Sequence, residues 1–595
     1  MSSVLLVGIN AKFIHTNLAI RSLKANAGIY KDQVGIAEYT INHRREDILR
    51  GIYEKRPDLI GFSCYLWNIE MVLSVACDLK KLLPQTVIFL GGPEVSYRAE
   101  KLLREHSWVD FIMAGEGEKT FCRIVRRWRE RENGNENISL SDINGLVYRN
   151  EGEIVRTPSA GVIDMDDLIF PYEDLSGLEH RILYYESMRG CPFSCSYCLS
   201  SIEKTVRFKS PGKTENELDF FLKHRVPQVK FTDRTFNCNH DYAFRIWKYI
   251  GDHDNGVTNF HFEIAGDLLC EEDFNLFETF RPGLVQFEIG VQSTNPQTLR
   301  AIHRTMNLSK LRVNTERVRK MRKIHQHLDL IAGLPCEDME SFQHSFNDVY
   351  EMKPDQLQLG FLKVLGGSPI HKVQGEYGLR FSSHPPYEVF STKWIDFEDV
   401  LELKQVEDMV EVYYNSLQFT ASMMFLERLF PSPFVLYGNL AEYYRIHHLS
   451  ERNHSRLGRY EILWNFGNQW ISQAEKELWR EILTYDLFRR DYVKNPPGFV
   501  LPRTEEQKVV IRSFFDRECE TPHFLTGYKG YVTRQLYHMI YMGQFTVDME
   551  HLLETGNIQK KAPYYILFDY KKRNPLDYSA EQYCIGAAGL TGAVY

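Results

Sequence analysis

Residues 181–201 read RILYYESMRGCPFSCSYCLSS. The apolar and aromatic run Ile182–Tyr185 predicts a buried strand, and it feeds directly into Cys191, Cys195 and Cys198 at spacing C-x3-C-x2-C. Iron–sulfur cubes are normally held by thiolates. Three cysteines therefore supply three irons of a 4Fe-4S cluster and leave the fourth iron open to a substrate. A structural zinc site would show four ligands, usually as two close pairs, and a purely electron-transferring cluster would need a fourth thiolate. The nearest further cysteine is Cys238, in a loop-like NCNH. Tyr197, just before the third cysteine, places an aromatic surface beside the cluster.

Downstream of the cysteines, QVKFTDRTF, NFHFEIAGD, LVQFEIGVQS, HLDLIAGLP and QLQLGFLKVL repeat the strand pattern, each separated from the next by a helical stretch. Six strands in βα order predict a partial parallel α/β barrel over residues 179–375. Upstream, SVLLVGIN, DLIGFSCY, TVIFLGGPE and VDFIMAGEGE read as strands ending in Gly, Ser or acidic residues, with amphipathic segments NLAIRSLKANAG and MVLSVACDLKKLL between them. This predicts a Rossmann-like parallel sheet over 1–135, whose ligand lies outside the carboxyl ends of the strands. Residues 136–178 read as a linker, and the stretch ENGNENISLSDINGLVYRNEGEI that leads into it, residues 132–154, suggests a hairpin. From 376 to 595 the chain is mainly helical and rich in aromatic residues, with a few strands near the end, as in APYYILFDY. Aromatics at three- and four-residue spacing on helices are usually core.

The 595 residues are 43% hydrophobic and 25% charged, which is ordinary for a folded protein of several domains. A net charge of −8 argues against coating nucleic acid. No apolar run of about 18 residues predicts a membrane span, and MSSVLLVGINAKF has the wrong flanks for a signal peptide, so a cytoplasmic protein is expected. Eleven cysteines with one tight cluster point to metal binding rather than to a disulfide framework.

The cysteine triplet at the first loop of a βα barrel resembles the signature of the radical S-adenosylmethionine (radical SAM) enzymes. The resemblance implies that the open iron chelates the amino and carboxylate groups of S-adenosylmethionine and that reductive cleavage yields a 5′-deoxyadenosyl radical. It further implies that Tyr197, Asp233, Glu263, Gln292, Ser293, Arg304, Gly333 and Pro335 bind this cosubstrate. Asp233 with Arg234 stands where the family contacts the methionine amino group, although the Gly-Gly-Glu wording is absent. Glu263, Gln292, Ser293 and Arg304 resemble ribose and carboxylate contacts, and the Gly333–Pro335 turn resembles the one where adenine packs.

The amino-terminal strand ends, LGGPEVS, AGEGE and FSCYLW, resemble the cobalamin-binding domain that commonly precedes such a barrel. The matching residues are Asn10, Ser63, Tyr65, Leu66, Gly91, Gly92, Pro93, Glu94, Val95, Gly115, Glu116 and Gly117. The Asp-x-His-x-x-Gly motif that supplies a cobalt ligand elsewhere is absent, and the context of His15 does not match it, which implies cobalamin without a lower histidine. A single Gly in VGINAKF gives no dinucleotide fingerprint. The region from about 380 onward resembles a domain of uncharacterised function found behind this cofactor pair in bacteria.

Together these resemblances imply an oxygen-sensitive, cobalamin-dependent radical methyltransferase acting on an unactivated carbon, supplied with electrons by a flavodoxin or ferredoxin. A cobalamin-using radical enzyme that performs a rearrangement, cyclisation or reduction is the first alternative, and a corrinoid or cluster sensor the second.

Overall fold

The amino-terminal strands are near-continuous apolar runs because helices cover both faces of their sheet. In the computed structural model, which describes residues 3–132 and 139–586, β1 (Val4–Asn10) is buried at every position. It pairs in parallel with β2 (Val34–Thr40) and β3 (Leu59–Ser63), and β4 (Val87–Gly91) and β5 (Phe111–Met113) continue the sheet. The predicted helical segments form Leu18–Ala25 and Ile69–Leu82. Strand β2 escaped the sequence reading because it is an edge strand, interrupted by Gly35 and carrying Glu38, which pairs with Arg21 and Arg181. The hairpin expected in the linker forms from β6 (Leu146–Asn150) and β7 (Glu153–Arg156). It adds antiparallel to β5, so the first sheet has seven strands and extends to Arg156. The first part of that connector, 133–138, lies outside the described residues.

The second sheet contains all six expected strands, with neighbours in sequence order from one edge to the other and every pair parallel. These are β8 (Leu183–Tyr185), β11 (Gln228–Phe231), β12 (Asn259–Glu263), β13 (Val285–Gln292), β14 (His325–Ala332) and β15 (Gln356–Phe361). A short antiparallel pair, β9 (Met188–Arg189) and β10 (Arg207–Phe208), closes the base of the cysteine loop. Alternation sorts each barrel strand. On β13, Val285, Phe287, Ile289 and Val291 are buried in the apolar layer, while Gln286, Glu288, Gly290 and Gln292 occupy the other face.

Such a partial barrel has two open edges, each with backbone groups needing partners. The amino-terminal part covers β8: Ile182 N donates to Ile14 O at 2.7 Å and Thr16 Oγ1 to Ile182 O at 2.9 Å. At the other edge, the Asn415 side chain acts as a substitute strand for β15. Its Oδ1 accepts from Leu357 N and its Nδ2 donates to Leu357 O, both at 2.9 Å. Helices from Phe397 to Arg490 share one continuous core with the barrel, in which Tyr413, Tyr437, Tyr460 and Trp479 are fully buried. The aromatic residues are thus core, as their spacing predicts. Toward the end of the described residues the chain forms an antiparallel sheet of β16 (Ile540–Val547), β17 (Lys560–Arg573) and β18 (Ala580–Ile585).

Candidate functional site

The cysteine loop is tied at its base before any ligand enters. Gly190 has φ +94°, and a Cβ there would lie 2.2 Å from Thr205 O, so glycine alone lets the loop close on itself. Ser196 N donates to Ile302 O and Ile370 N to Ser196 O, anchoring the middle of the loop. Asp233 secures the start: its carboxylate accepts from Ser187 N at 2.9 Å, Met188 N at 3.0 Å and the Ser187 hydroxyl. Burial pushes the Asp233 carboxyl up to about 7 despite these bonds.

Cys191, Cys195 and Cys198 are free thiols lining one cavity of about 170 Å³ with Tyr197, Arg234, Thr235, Glu263, Glu288, Gly290, Gln292, Arg304 and Asp329. Arg304 Nη1 lies 3.5 Å from Cys195 Sγ and Thr235 Oγ1 3.6 Å from Cys191 Sγ. The donor set fits an iron–sulfur cluster: three soft ligands converge where a guanidinium offsets the negative charge that thiolates bring. Cys238 does not line this cavity. Burial, and after it the neighbouring Cys191 thiol, pushes Cys238 up to about 11.

Below the thiols the barrel interior is charged. Glu288 takes Lys230 Nζ at 2.8 Å and has His261 Nε2 at 3.0 Å. Burial alone would raise this carboxyl, but His261 and Lys230 hold it well below the usual range. Glu263 pairs with the Arg234 guanidinium at 3.6 Å, and burial raises its carboxyl against the pull of Arg234 and, more weakly, Lys230.

In the amino-terminal sheet, Gly61, Ser63, Tyr65, Gly91, Gly92, Gly115, Gly117 and Glu118 line a narrow cleft of about 120 Å³. A Cβ on Gly92, at φ +115°, would fall 2.5 Å from Cys64 O, while the space beside Gly115 is open. Its glycine-bearing strand ends, backed by the apolar side chains of Leu6, Ile20, Phe62, Phe89 and Met113, fit the close approach of a large flat ligand such as a corrinoid. Between this cleft and the barrel lies a third cavity of about 360 Å³, lined by Asn10, His15, Tyr65, Trp67, Tyr184, Lys230, Arg234 and Glu263 among others. Tyr65 belongs to the cleft and to this interface cavity; Arg234 and Glu263 belong to the interface cavity and to the cysteine cavity. Burial pushes the Tyr65 hydroxyl up to about 12, and its ring stacks on Trp67 with centroids 4.6 Å apart.

The expected site residues thus divide. Tyr197, Glu263, Gln292 and Arg304 gather with the three cysteines. Asp233 instead braces the loop, and Ser293 is buried with its hydroxyl donating to Glu337 at 2.6 Å. Gly333, at φ +83°, backs onto Val389, and Gly333 and Pro335 lie off the cavity wall. In the amino-terminal domain, Ser63, Tyr65, Gly91, Gly92, Gly115 and Gly117 line the cleft, and Asn10 lines the interface cavity. Leu66, Pro93 and Val95 line neither, Val95 being core. Two acids serve as ties between parts of the chain: Glu94 accepts from the Tyr387 hydroxyl at 2.6 Å and pairs with Arg98, and Glu116 pairs with Arg207 on β10. His15 Nδ1 is bonded to Tyr184 Oη at 2.8 Å, and burial, with Lys12 and Lys230, lowers its pKa. Sequence reasoning missed Thr235, Glu288, Gly290, Asp329 and the ties Glu118–Arg189 and Glu116–Arg207. Strand alternation carried the signal for Glu288 and Gly290, four and two residues before Gln292 on the same face.

The family models match in the order that the fold suggests. A B12 binding domain matches residues 4–125, the radical SAM superfamily residues 185–349, and a protein of unknown function (DUF4080) residues 375–568. The chain is a radical SAM protein with a B12-binding domain ahead of its barrel and an uncharacterised DUF4080 domain behind it. It is 26% identical over 370 residues to the cobalamin-dependent radical SAM methyltransferase TokK of Streptomyces tokunonensis, covering 56% of this chain and 51% of that one. It is 24% identical over 346 residues to the anaerobic magnesium-protoporphyrin IX monomethyl ester cyclase of Rubrivivax gelatinosus, covering 55% and 60%. The chain spans about half the length of these curated relatives, as it does of a 2-(S-pantetheinyl)-carbapenam-3-carboxylate methyltransferase that it also matches. Its fold is similar to that of the cobalamin-dependent S-adenosylmethionine radical enzyme OxsB (TM-score 0.55, 15% identity, 82% of this chain and 79% of that one). No helix among the described residues is long and apolar enough to cross a membrane.

Proposed function

We propose that this protein is a cobalamin-dependent radical SAM methyltransferase acting on an unactivated carbon, with its substrate in the interface cavity. The observation that carries the reading is the series of three cavities, in which Tyr65 joins the glycine-lined cleft to the interface cavity and Arg234 with Glu263 joins that cavity to the three cysteines. When bound, the cluster supplies the electron that splits S-adenosylmethionine into methionine and a 5′-deoxyadenosyl radical, and cobalamin supplies a carrier for the methyl group.

The chain's own contribution is to hold, align and exclude water. Cys191, Cys195 and Cys198 would hold three irons, with Arg304 against the sulfurs and Tyr197 and Gln292 on the same wall. Gly91, Gly92, Gly115 and Gly117 would let the corrin approach the strand ends. Trp67, Tyr184 and Phe231 give the interface cavity an aromatic lining, which suits a space where a primary radical would otherwise attack whatever lies nearby. Among the described residues Arg234 and Glu263 form an ion pair with each other alone, which keeps donors and acceptors available between the two spaces. The electron donor in this reading is a flavodoxin or ferredoxin of the cytoplasm.

The decisive experiment is anaerobic purification with cobalamin, reconstitution of the cluster and analysis of nucleoside products under reductant. A methyltransferase forms S-adenosylhomocysteine and 5′-deoxyadenosine in equal amounts with methylated product. Ring closure or rearrangement, the reading favoured by the similarity to the cyclase, forms no coupled S-adenosylhomocysteine. A sensor forms no 5′-deoxyadenosine at all.

A further inference from the structure

Behind the wall of the cysteine cavity, two barrel loops meet at a second group of metal-ligating side chains. The loop after β11, which carries Arg234, Thr235 and Cys238, runs into the helix His240–Asp252. The loop after β12, which carries Ile264 and Ala265, ends at Cys270 and the short helix Glu271–Phe277. Asn237 clamps the two loops through paired bonds to Ala265, 2.9 Å each way. Beside that clamp, His240 Nε2 lies 3.1 Å from Cys270 Sγ and 3.2 Å from Asp273 Oδ1. One imidazole, one thiol and one carboxylate thus present ligand atoms to a common point.

Charge balance makes this group unlike an ordinary polar contact. Asp273 is 1% exposed. Its Oδ2 caps Cys270 N at 2.9 Å, but its Oδ1 is buried without an aligned hydrogen bond. Among the described residues no Lys or Arg pairs with it. Buried carboxylates are paired with cations or coordinate metals. The comparable group in the barrel interior, Glu288, His327 and Asp329, already has its cation, because Lys230 Nζ sits 2.8 Å from Glu288. The His240 side is open to solvent, its side chain being 38% exposed. A single nitrogen facing both the sulfur and the oxygen does not suit a Cys–His–Asp nucleophile, where the acid orients the opposite ring nitrogen. Three donors of S, N and O type around one point do suit a divalent cation of the zinc class, with solvent in the fourth position.

We propose that His240, Cys270 and Asp273 form a mononuclear site for a zinc-class divalent cation, separate from the three-cysteine site, which locks together the two loops walling the cysteine cavity. The ion replaces the missing positive charge beside Asp273 and leaves the backbone cap on Oδ2 intact.

The test uses the full-length protein. Combining Cys191→Ala, Cys195→Ala and Cys198→Ala removes the cluster thiols. Anaerobic titration of that variant with Co(II) should show one equivalent bound with a thiolate-to-cobalt charge-transfer band, displaced by Zn(II). Adding Cys270→Ser, which retains a helix-capping side chain, should abolish the band, and Asp273→Asn should weaken Co(II) binding at least about tenfold. In the wild-type protein with its cluster reconstituted, elemental analysis after dialysis should find one zinc per chain in addition to iron. A band that survives Cys270→Ser, or wild-type protein that holds no zinc-class ion after exposure to Zn(II), would overturn the assignment and leave His240 as a simple partner of Asp273.

Discussion

Asp233 separates two roles that its position in the sequence does not distinguish: a contact to the amino group of S-adenosylmethionine, or a brace for the loop that carries the thiols. Its carboxylate accepts from two buried backbone N–H groups and from the Ser187 hydroxyl. Asp233→Ala leaves both N–H groups without partners, at about 1–3 kcal/mol each, so the turn between β8 and β9 loses about 2–6 kcal/mol. That is enough to unseat the loop. Asp233→Asn is different, because one amide oxygen can accept from both N–H groups while Ser187 turns its hydroxyl to accept from the amide. This change should cost less than about 1 kcal/mol. The assay is iron and sulfide content after reconstitution, followed by the Km for S-adenosylmethionine in reductive cleavage. The alanine variant should lose its cluster, and the asparagine variant should keep both cluster and Km. If Asp233→Asn retained iron while its Km rose tenfold or more, the brace would be the wrong description and the carboxylate would be a direct ligand of the amino group.

Cys198→Ala should abolish the brown absorbance of the cluster and all cleavage of S-adenosylmethionine, and retained cleavage would reject the three-thiol assignment. Gly92→Leu puts a side chain at φ +115° with its Cβ 2.5 Å from Cys64 O; strain of about 1–3 kcal/mol at the strand end should lower corrinoid content about tenfold or more with iron unchanged, and normal corrinoid content would count against the cleft. Glu337 accepts from Ser293 and Ser345, and burial pushes its carboxyl up to about 7. Its folded value exceeds its unfolded one, so its stabilisation is complete at low pH and is lost as pH rises through about 7. Glu337→Gln should therefore match wild type in melting temperature near about pH 4 and exceed it near about pH 8, by a free energy of about 3 kcal/mol; parallel pH profiles for the two proteins would refute this.

Much of the architecture was legible because strands facing helices on one side and a polar interior on the other alternate visibly, as β13 does from Val285 to Gln292. Strand β2 was not legible, because an edge strand need not be apolar on both faces and Glu38 breaks the run. The cysteine triplet announced itself by spacing, whereas Thr235 and Asp329 reached the same cavity only through loop geometry and strand register. Asp233 is the opposite case. A buried acid at a strand end reads as a ligand contact, yet its bonds go to backbone two strands of sequence away. The ties Glu116–Arg207 and Glu118–Arg189 join residues far apart in the chain, and no local pattern marks such pairs.

Asn415 gives the uncharacterised carboxyl-terminal domain a status that its family label conceals. By bonding both backbone groups of Leu357 on the edge strand β15, it makes the domain a wall of the barrel rather than an attachment to it. A fragment ending near residue 376 would present a bare strand margin and a stripped apolar surface to its neighbours. Such fragments should self-associate, so these two units are expected to travel through evolution as one inherited piece.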